Sequence, residues 1–375
     1  MQNFTNLWLA YELTGSPFYL GLVGGTLAAS TIVFSLFGGV LADRFDRRRV
    51  LLFTQSSLGL LTLILAILVT LNIVTIWHIL VIASISGMVQ AFDRPSRESL
   101  IPHLVDDKKD LINAVALSST VWQMTRIMGP AAAGIIIGFS GASLSFYISS
   151  FLYFSLMIAV MQVKLPARIK TAERSNMWRS LAEGLAYIWR NGFFRAILGM
   201  TFINSVFGTS YLFLMPVFTK DILKAGPEGF GFIMTGIGVG GLMGTLTAAF
   251  LGRMKHKYLL FIGSSIASGA FIIVFAHSSI YMVSLAAGWA AALATNVYMV
   301  LGQVFLQTLV PDDLRGRTMS IYGLVWSLTP MGSLQSGAIA TYLGAPVAVT
   351  IGASVLVAFS LSVFAFTPGL RKLKM

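Results

Sequence analysis

The chain has no cysteine among its 375 residues. That excludes disulfides, thiolate metal sites and cysteine nucleophiles. Its four histidines are scattered and form no cluster of zinc-ligand spacing. Charge is scarce as well: 11% of residues are charged, against about 25% in a soluble domain. With 56% hydrophobic residues, too little polar surface remains to cover a water-soluble molecule of this size. The bilayer is the solvent that tolerates such a composition. No Gly-Lys-Ser phosphate loop is present, so the chain carries no ATP motor of its own. No nucleophile–base pair or metal-ligand cluster stands out, which argues against an enzyme.

What charge there is carries a net +12. A nucleic-acid face would gather that charge on one surface. Here nearly all Lys and Arg fall in short gaps between apolar runs, and in alternate gaps only. Apolar runs of membrane-spanning length cover about 18–42, 50–71, 75–93, 111–138, 143–164, 194–218, 230–252, 258–277, 280–306, 318–341 and 344–367. A twelfth, "MQNFTNLWLAYEL", stops at the turn signal "TGSP". At about 13 residues it spans roughly 20 Å of a core near 30 Å. Either it is short and tilted or the chain lacks its first residues; the second is the expectation.

The basic gaps hold Arg44 and Arg47 to Arg49; Arg94, Arg97, Lys108 and Lys109; Arg253, Lys255 and Lys257; Arg315 and Arg317; and the tail Arg371, Lys372 and Lys374. By the positive-inside rule this side is cytoplasmic, and both termini lie on it. The one long polar connection, 165–193, divides two bundles expected over 1–164 and 194–375. Within it, "NMWRSLAEGLAYIWRN" sets Trp178, Leu181, Leu185 and Ile188 or Trp189 on one helical face, as a strap against the membrane surface or the bundle. The bundles echo one another: "RRRVLLF" at 47–53 returns as "KHKYLLF" at 255–261, and "LVDDKKDLINAVAL" at 104–117 loosely as "LVPDDLRGRTMSIY" at 309–322. Two similar halves around a midplane site is a transporter design. The fold class is therefore all-α integral membrane, with two pseudo-symmetric six-helix bundles and a short first helix.

"GGVLADRFDRRR" resembles motif A of the major facilitator superfamily, the turn between its second and third helices. Gly39, Asp43, Arg44, Arg47 and Arg48 match, while Asp46 stands where the family has glycine. "YELTGSPFYLGLVGG", "FDRPSRESLIPHLV", "INAVALSSTVWQMTRIMGPAAAG" and "LVPDDLRGRTMSIYGL" are similar to the drug:proton antiporter branch that includes macrolide exporters and the enterobactin exporter. The resemblance covers essentially the whole chain. It implies proton-coupled export of small amphipathic compounds, drug-like or siderophore-like, from a bacterial cytoplasmic membrane; the alternatives are a truncated membrane protein or scaffold that does not transport, or an exporter dedicated to one siderophore, peptide or lipid. It also implies a monomer in membrane lipid, with no cofactor, metal or nucleic acid. In the family motif A latches the cytoplasmic side. Asp43 is placed to face the N-terminus of a helix starting near Thr318, where the helix dipole favours an acid.

Arg126 is the one Lys or Arg deep within a span, where a charge costs roughly 2.5–3.5 kcal/mol. It is either a substrate or coupling charge or a packed arginine satisfied by carbonyls and Gln123. Three residues later Gly129, Pro130 and Gly134 of "GPAAAG" resemble motif C of antiporters, whose bend favours export. The arginine of motif B is missing from "HILVIASISGMVQAF", so Arg126 is a candidate to replace it. Glu12 and Asp93 are the other candidate coupling acids, with Asp93 more readily paired to Arg94 or Arg97. Trp122, Gln123, Asn204, Asn296, Gln303, Trp326 and Gln335 outline a candidate substrate cavity, an apolar surface with a few polar groups. "GIGVGG" at 236–241 lacks a preceding strand, so its four-residue glycine spacing reads as helix packing, not a dinucleotide site.

Overall fold

A computed structural model describes residues 1–44, 46–98, 100, 111–162, 177–251, 257–329 and 331–366. Side chains at 36–44, 47, 94, 95, 98, 111, 112, 115, 116, 119, 122, 123, 126, 177–182, 312 and 313 fall outside that description. So do Lys108, Lys109, Arg253, Lys255 and the tail arginine and lysines, which the orientation argument used.

Among the described residues there is no strand. The helices are α1 (Gln2–Thr14), α2 (Pro17–Arg44), α3 (Arg47–Thr70), α4 (Ile76–Glu98), α5 (Leu111–Gln162), α6 (Met177–Arg190), α7 (Gly192–Ile203), α8 (Met215–Val217), α9 (Gly226–Leu251), α10 (Lys257–His277), α11 (Tyr281–Leu309), α12 (Asp312–Ser327), α13 (Met331–Leu343) and α14 (Ala345–Phe366). Nine stretches among the described residues are long and apolar enough to cross a membrane. Phe139, Phe151 and Phe250 stand 81%, 69% and 79% exposed, which suits a lipid-facing surface and not a wet one.

The breaks follow from residue type. Gly15 ends α1 in the left-handed conformation, φ 58°, and Pro17 opens α2, as "TGSP" predicts. Gly141, at φ 77° and ψ 176°, divides α5 where two spans were expected; only glycine adopts that geometry freely. Two expected spans are irregular. The 194–218 run is α7, then a π-helical turn at Asn204–Gly208, a 3₁₀ turn at Ser210–Leu214, α8, and a second π turn at Phe218–Ile222. Pro216 has no N–H to continue the ladder through this stretch. The 318–341 run is not one helix but α12 and α13. Pro330 lacks a donor and disfavours helix at the residue before it. The helix starts at Asp312, so Thr318 lies inside α12, fully buried, rather than at an N-terminus.

The chain forms two compact units, Met1–Ala172 with Ala225–Phe232, and Glu173–Lys224 with Ile233–Met375. Each repeats one scheme. In the first, Gly87 of α4 meets the Leu27 carbonyl of α2 so closely that a Cβ would overlap it. In the second, Gly240 and Gly244 of α9 meet the Trp289 and Leu293 carbonyls of α11 in the same way. That is the helix packing their spacing predicted. Gly59 of α3 lies under Phe154 of α5, and its carbonyl accepts from the Ser150 hydroxyl at 2.9 Å. The counterpart is Gly269 of α10 under Val357 of α14, with Ser265 and Ser360 hydroxyls paired at 2.9 Å.

Candidate functional site

The motif A turn is built by a cap. Asp46 is the N-cap of α3 at φ −62° and ψ 119°, and its carboxylate accepts the Arg48 N–H at 2.9 Å. Glycine's freedom is not needed at that φ, so the departure from the family pattern substitutes one way of making the turn for another. The Arg48 guanidinium donates to the Met161 carbonyl near the end of α5, tying the turn to its own unit. Gly39, Asp43 and Arg44 end α2 and Arg47 starts α3; their side-chain placement lies outside the described residues.

Asp93 is the best-defined polar centre. It is 7% exposed, near the end of α4. Thr54 Oγ1 donates to it at 2.7 Å, Gln55 Nε2 at 2.5 Å and Arg97 Nη2 at 2.6 Å. Of the two partners the sequence offered, Arg97 makes the pair, one helical turn on; the Arg94 side chain lies outside the described residues. The two α3 donors were not visible in the sequence. Thr54 and Gln55 follow "RRRVLLF", where only their polarity inside an apolar run could have signalled them. Three donors make Asp93 a brace between α3 and α4. Nearby, the Tyr153 hydroxyl of α5 donates to Gln2 Oε1 at 2.9 Å and Thr5 pairs with Ser145 at 2.7 Å, which fixes α1 to the second half of α5.

The motif C-like segment makes a close backbone crossing in the first unit. A Cβ on Gly134 would lie 2.6 Å from the Gly231 Cα and 2.7 Å from the Pro227 carbonyl. A Cβ on Gly231 would lie 3.0 Å from the Pro130 carbonyl. One turn on, Gly138 leaves room for the Glu228 side chain. Pro130, Gly134 and Gly138, spaced four residues apart, thus form a stripe that receives the first turns of α9. Gly138, Glu228 and Gly231 were missed, although the spacing from Gly134 to Gly138 is the same signal read at Gly236, Gly240 and Gly244. Gly129 is half-buried, and its Cβ position is 3.7 Å from the Met1 nitrogen. Glu12 is exposed on α1. Trp122, Gln123 and Arg126 sit on the first half of α5, with side chains outside the described residues.

The remaining cavity candidates belong to the second unit and separate into two kinds. Asn296 donates to the Ala292 carbonyl at 2.9 Å and packs beside Gly241 and Gly244, which is a packing role. Gln303 is exposed. Asn204, Trp326 and Gln335 lie in or beside the two irregular stretches. Asn204 opens the π turn, fully buried, with neither amide atom hydrogen-bonded. Its carbonyl accepts from Thr209 N–H at 3.0 Å, the i to i+5 bond of a π turn. The Ser205 hydroxyl donates to the Val325 carbonyl at 3.0 Å and pairs with Thr329 Oγ1 at 2.8 Å. Trp326 meets Tyr322 edge-on, with ring centroids 6.4 Å apart. Gly332, at the start of α13, presses on the Val206 carbonyl. Broken helix therefore packs on broken helix, the arrangement by which membrane bundles expose backbone polar groups to a solute.

The family model described as "Transmembrane secretion effector" matches residues 1–373. The chain belongs to that family, within the major facilitator superfamily. Among similar proteins, the Staphyloferrin A transporter of Staphylococcus aureus is 27% identical, over 90% of this chain and 84% of its own. The multidrug efflux pump Tap of Mycolicibacterium fortuitum is 23% identical, with 90% and 84% covered. Macrolide efflux protein A of Streptococcus pyogenes is 22% identical, with 89% and 83% covered. The crystal structure of the nucleoside transporter NupG superposes with a TM-score of 0.76 at 16% identity, over 98% of this chain and 94% of that one. That likeness shows the shared fold. This major facilitator protein is thus an all-helical, multi-pass membrane transporter with bacterial efflux relatives, and its substrates are small molecules.

Proposed function

We propose that this transporter exports small amphipathic compounds, drug-like or siderophore-like, across the cytoplasmic membrane by proton-coupled alternating access. The observation that carries this is the relatives themselves: the siderophore, multidrug and macrolide transporters align with most of the chain. The working form is a monomer of two six-helix bundles joined by the 165–193 linker, with both termini in the cytoplasm. One proton crossing 100 mV yields roughly 2.3 kcal/mol, enough for about a fifty-fold gradient.

Motif A is the cytoplasmic latch in this scheme, with Asp43 its protonatable group and Arg44, Arg47 and Arg48 its cations. The dipole argument for Asp43 falls away, because Thr318 lies within α12; what supports the latch is the family pattern and the capped turn. Arg126 and Glu12 are the coupling candidates, while Asp93 is a brace. The Pro130–Gly134 segment is motif C in this scheme. The cargo contacts proposed on the second unit are Asn204, Trp326 and Gln335, and on the first Trp122 and Gln123.

Dye export from energised cells lacking their own pumps tests this. Uncoupler-sensitive export, reduced by Asp43→Asn, is the expected result. Export that persists after collapse of the proton gradient would sink proton coupling. A dedicated siderophore cargo is the second possibility, favoured by the Staphyloferrin A transporter similarity. It predicts siderophore release without dye export.

A further inference from the structure

Among the described residues of α6, apolar side chains lie on two faces, one buried against the bundle and one exposed. Gly184 and Ile188 face inward. A Cβ on Gly184 would lie 2.8 Å from Ile321 Cδ1, and Ile188, 3% exposed, packs in one core with Phe193, Phe305, Ile321 and Tyr322. Glu183 joins this face to α12 through Arg317 at 2.5 Å. Leu185 and Trp189 point the other way, at 50% and 70% exposure. The sequence stripe that left Ile188 and Trp189 as alternatives is divided between the two faces.

Beside the outer face lie two arginines, Arg190 and Arg195. Arg190 ends α6, Asn191 caps α7, and the membrane-spanning stretch Gly192–Ile222 begins at once. Arg195 stands one turn inside that stretch. Its guanidinium turns back to the corner, donating to the Trp189 carbonyl at 3.3 Å and passing beside Gly192. Among the described residues neither Arg190 nor Arg195 has a carboxylate partner. An arginine one turn inside a span reaches for the interface. Tryptophan concentrates at the same depth. An exposed indole, an exposed leucine and two cations thus meet at the point where the chain enters the membrane.

We infer that the α6–α7 corner is a binding site for the phosphate of an anionic phospholipid headgroup. Leu185 and Trp189 seat in the interfacial layer, and Arg190 and Arg195 hold the phosphate by charge-assisted hydrogen bonds. A zwitterionic headgroup brings its own cation beside the phosphate and offsets this attraction; phosphatidylglycerol does not. The site depends on the membrane fold and not on the cargo or the coupling ion.

Tryptophan quenching in nanodiscs tests it without any transport measurement. The bilayer is phosphatidylcholine with a minority of phosphatidylglycerol, and bromine is placed on the acyl chains of one lipid or the other. The difference between the native chain and Trp189→Phe isolates the Trp189 signal. At equal mole fraction of brominated lipid, Trp189 is expected to be quenched more by phosphatidylglycerol. Arg190→Gln and Arg195→Gln should each reduce that preference about fivefold. Equal quenching by the two lipids in the native chain overturns headgroup selection, whatever the variants do. Absence of quenching by either lipid shows that α6 faces water or protein. A preference that survives in the double variant removes the arginines from the site.

Discussion

Gly134 and Gly231 cross with so little space between them that a Cβ on the first would lie 2.6 Å from the Cα of the second. Backbone against backbone has nothing flexible to yield. Gly134→Ala should therefore cost about 1–3 kcal/mol by overpacking. The expected result is a lower melting temperature in detergent and loss of export. Gly263→Ala on α10 is the control, since nothing lies within 4 Å of its Cβ position. Helix propensity makes that change neutral to stabilising by up to about 1 kcal/mol. Equal melting shifts for the two variants would refute the close crossing.

Asp93→Ala should be among the more damaging single changes in the first unit. It strands the Gln55 amide, leaves the Thr54 hydroxyl only the Leu51 carbonyl at 3.1 Å, and removes the Arg97 ion pair. Hydrogen bonds to a charged group are worth about 1.5–3 kcal/mol each before relaxation. Gln55→Ala removes one donor and should cost less than Asp93→Ala. Thermal unfolding of the two, and of the double variant, checks this: additive losses would mean that the residues do not act on one another.

Ser205→Ala should separate stability from transport. It deletes one hydroxyl and its link to Val325 and Thr329, worth about 0.5–1.5 kcal/mol. If the two broken helices move during transport, the rate changes more than the melting temperature does. The chain has no cysteine, so a pair introduced at 205 and 329 can be cross-linked without background. Export that continues unchanged after cross-linking would exclude motion at this contact.

Asp46→Ala and Asp46→Gly test the cap. Alanine loses the bond to the Arg48 N–H and should cost about 1 kcal/mol, whereas glycine should cost only a few tenths. A glycine variant as unstable as the alanine variant, by thermal unfolding, would show that Asp46 does more than start α3.

Glu183→Gln should barely move stability. The pair with Arg317 is more than a third exposed on both side chains, and such pairs contribute about 0.2–1 kcal/mol. A melting shift of several degrees would mean that the clasp between α6 and α12 is stronger than its exposure implies.

The membrane class, the position of most spans and the turn at "TGSP" were legible in the sequence by itself. So were the glycine packing of α9 and the pairing of Asp93 with a neighbouring arginine, Arg94 or Arg97. Each depends on local quantities: hydropathy over about twenty residues, a glycine or proline at a boundary, or an i,i+4 spacing. The tertiary structure decided the rest. It chose Thr54 and Gln55 for Asp93, Gly231 for Gly134, and Ser205 for the Val325 carbonyl. It turned Ile188 inward and Trp189 outward. Those outcomes depend on which helix lies beside which, and hydropathy is blind to that because every span is apolar on all sides. A partner distant in the chain is selected by shape and by the need to satisfy each buried polar group, and both exist only once the helices have packed.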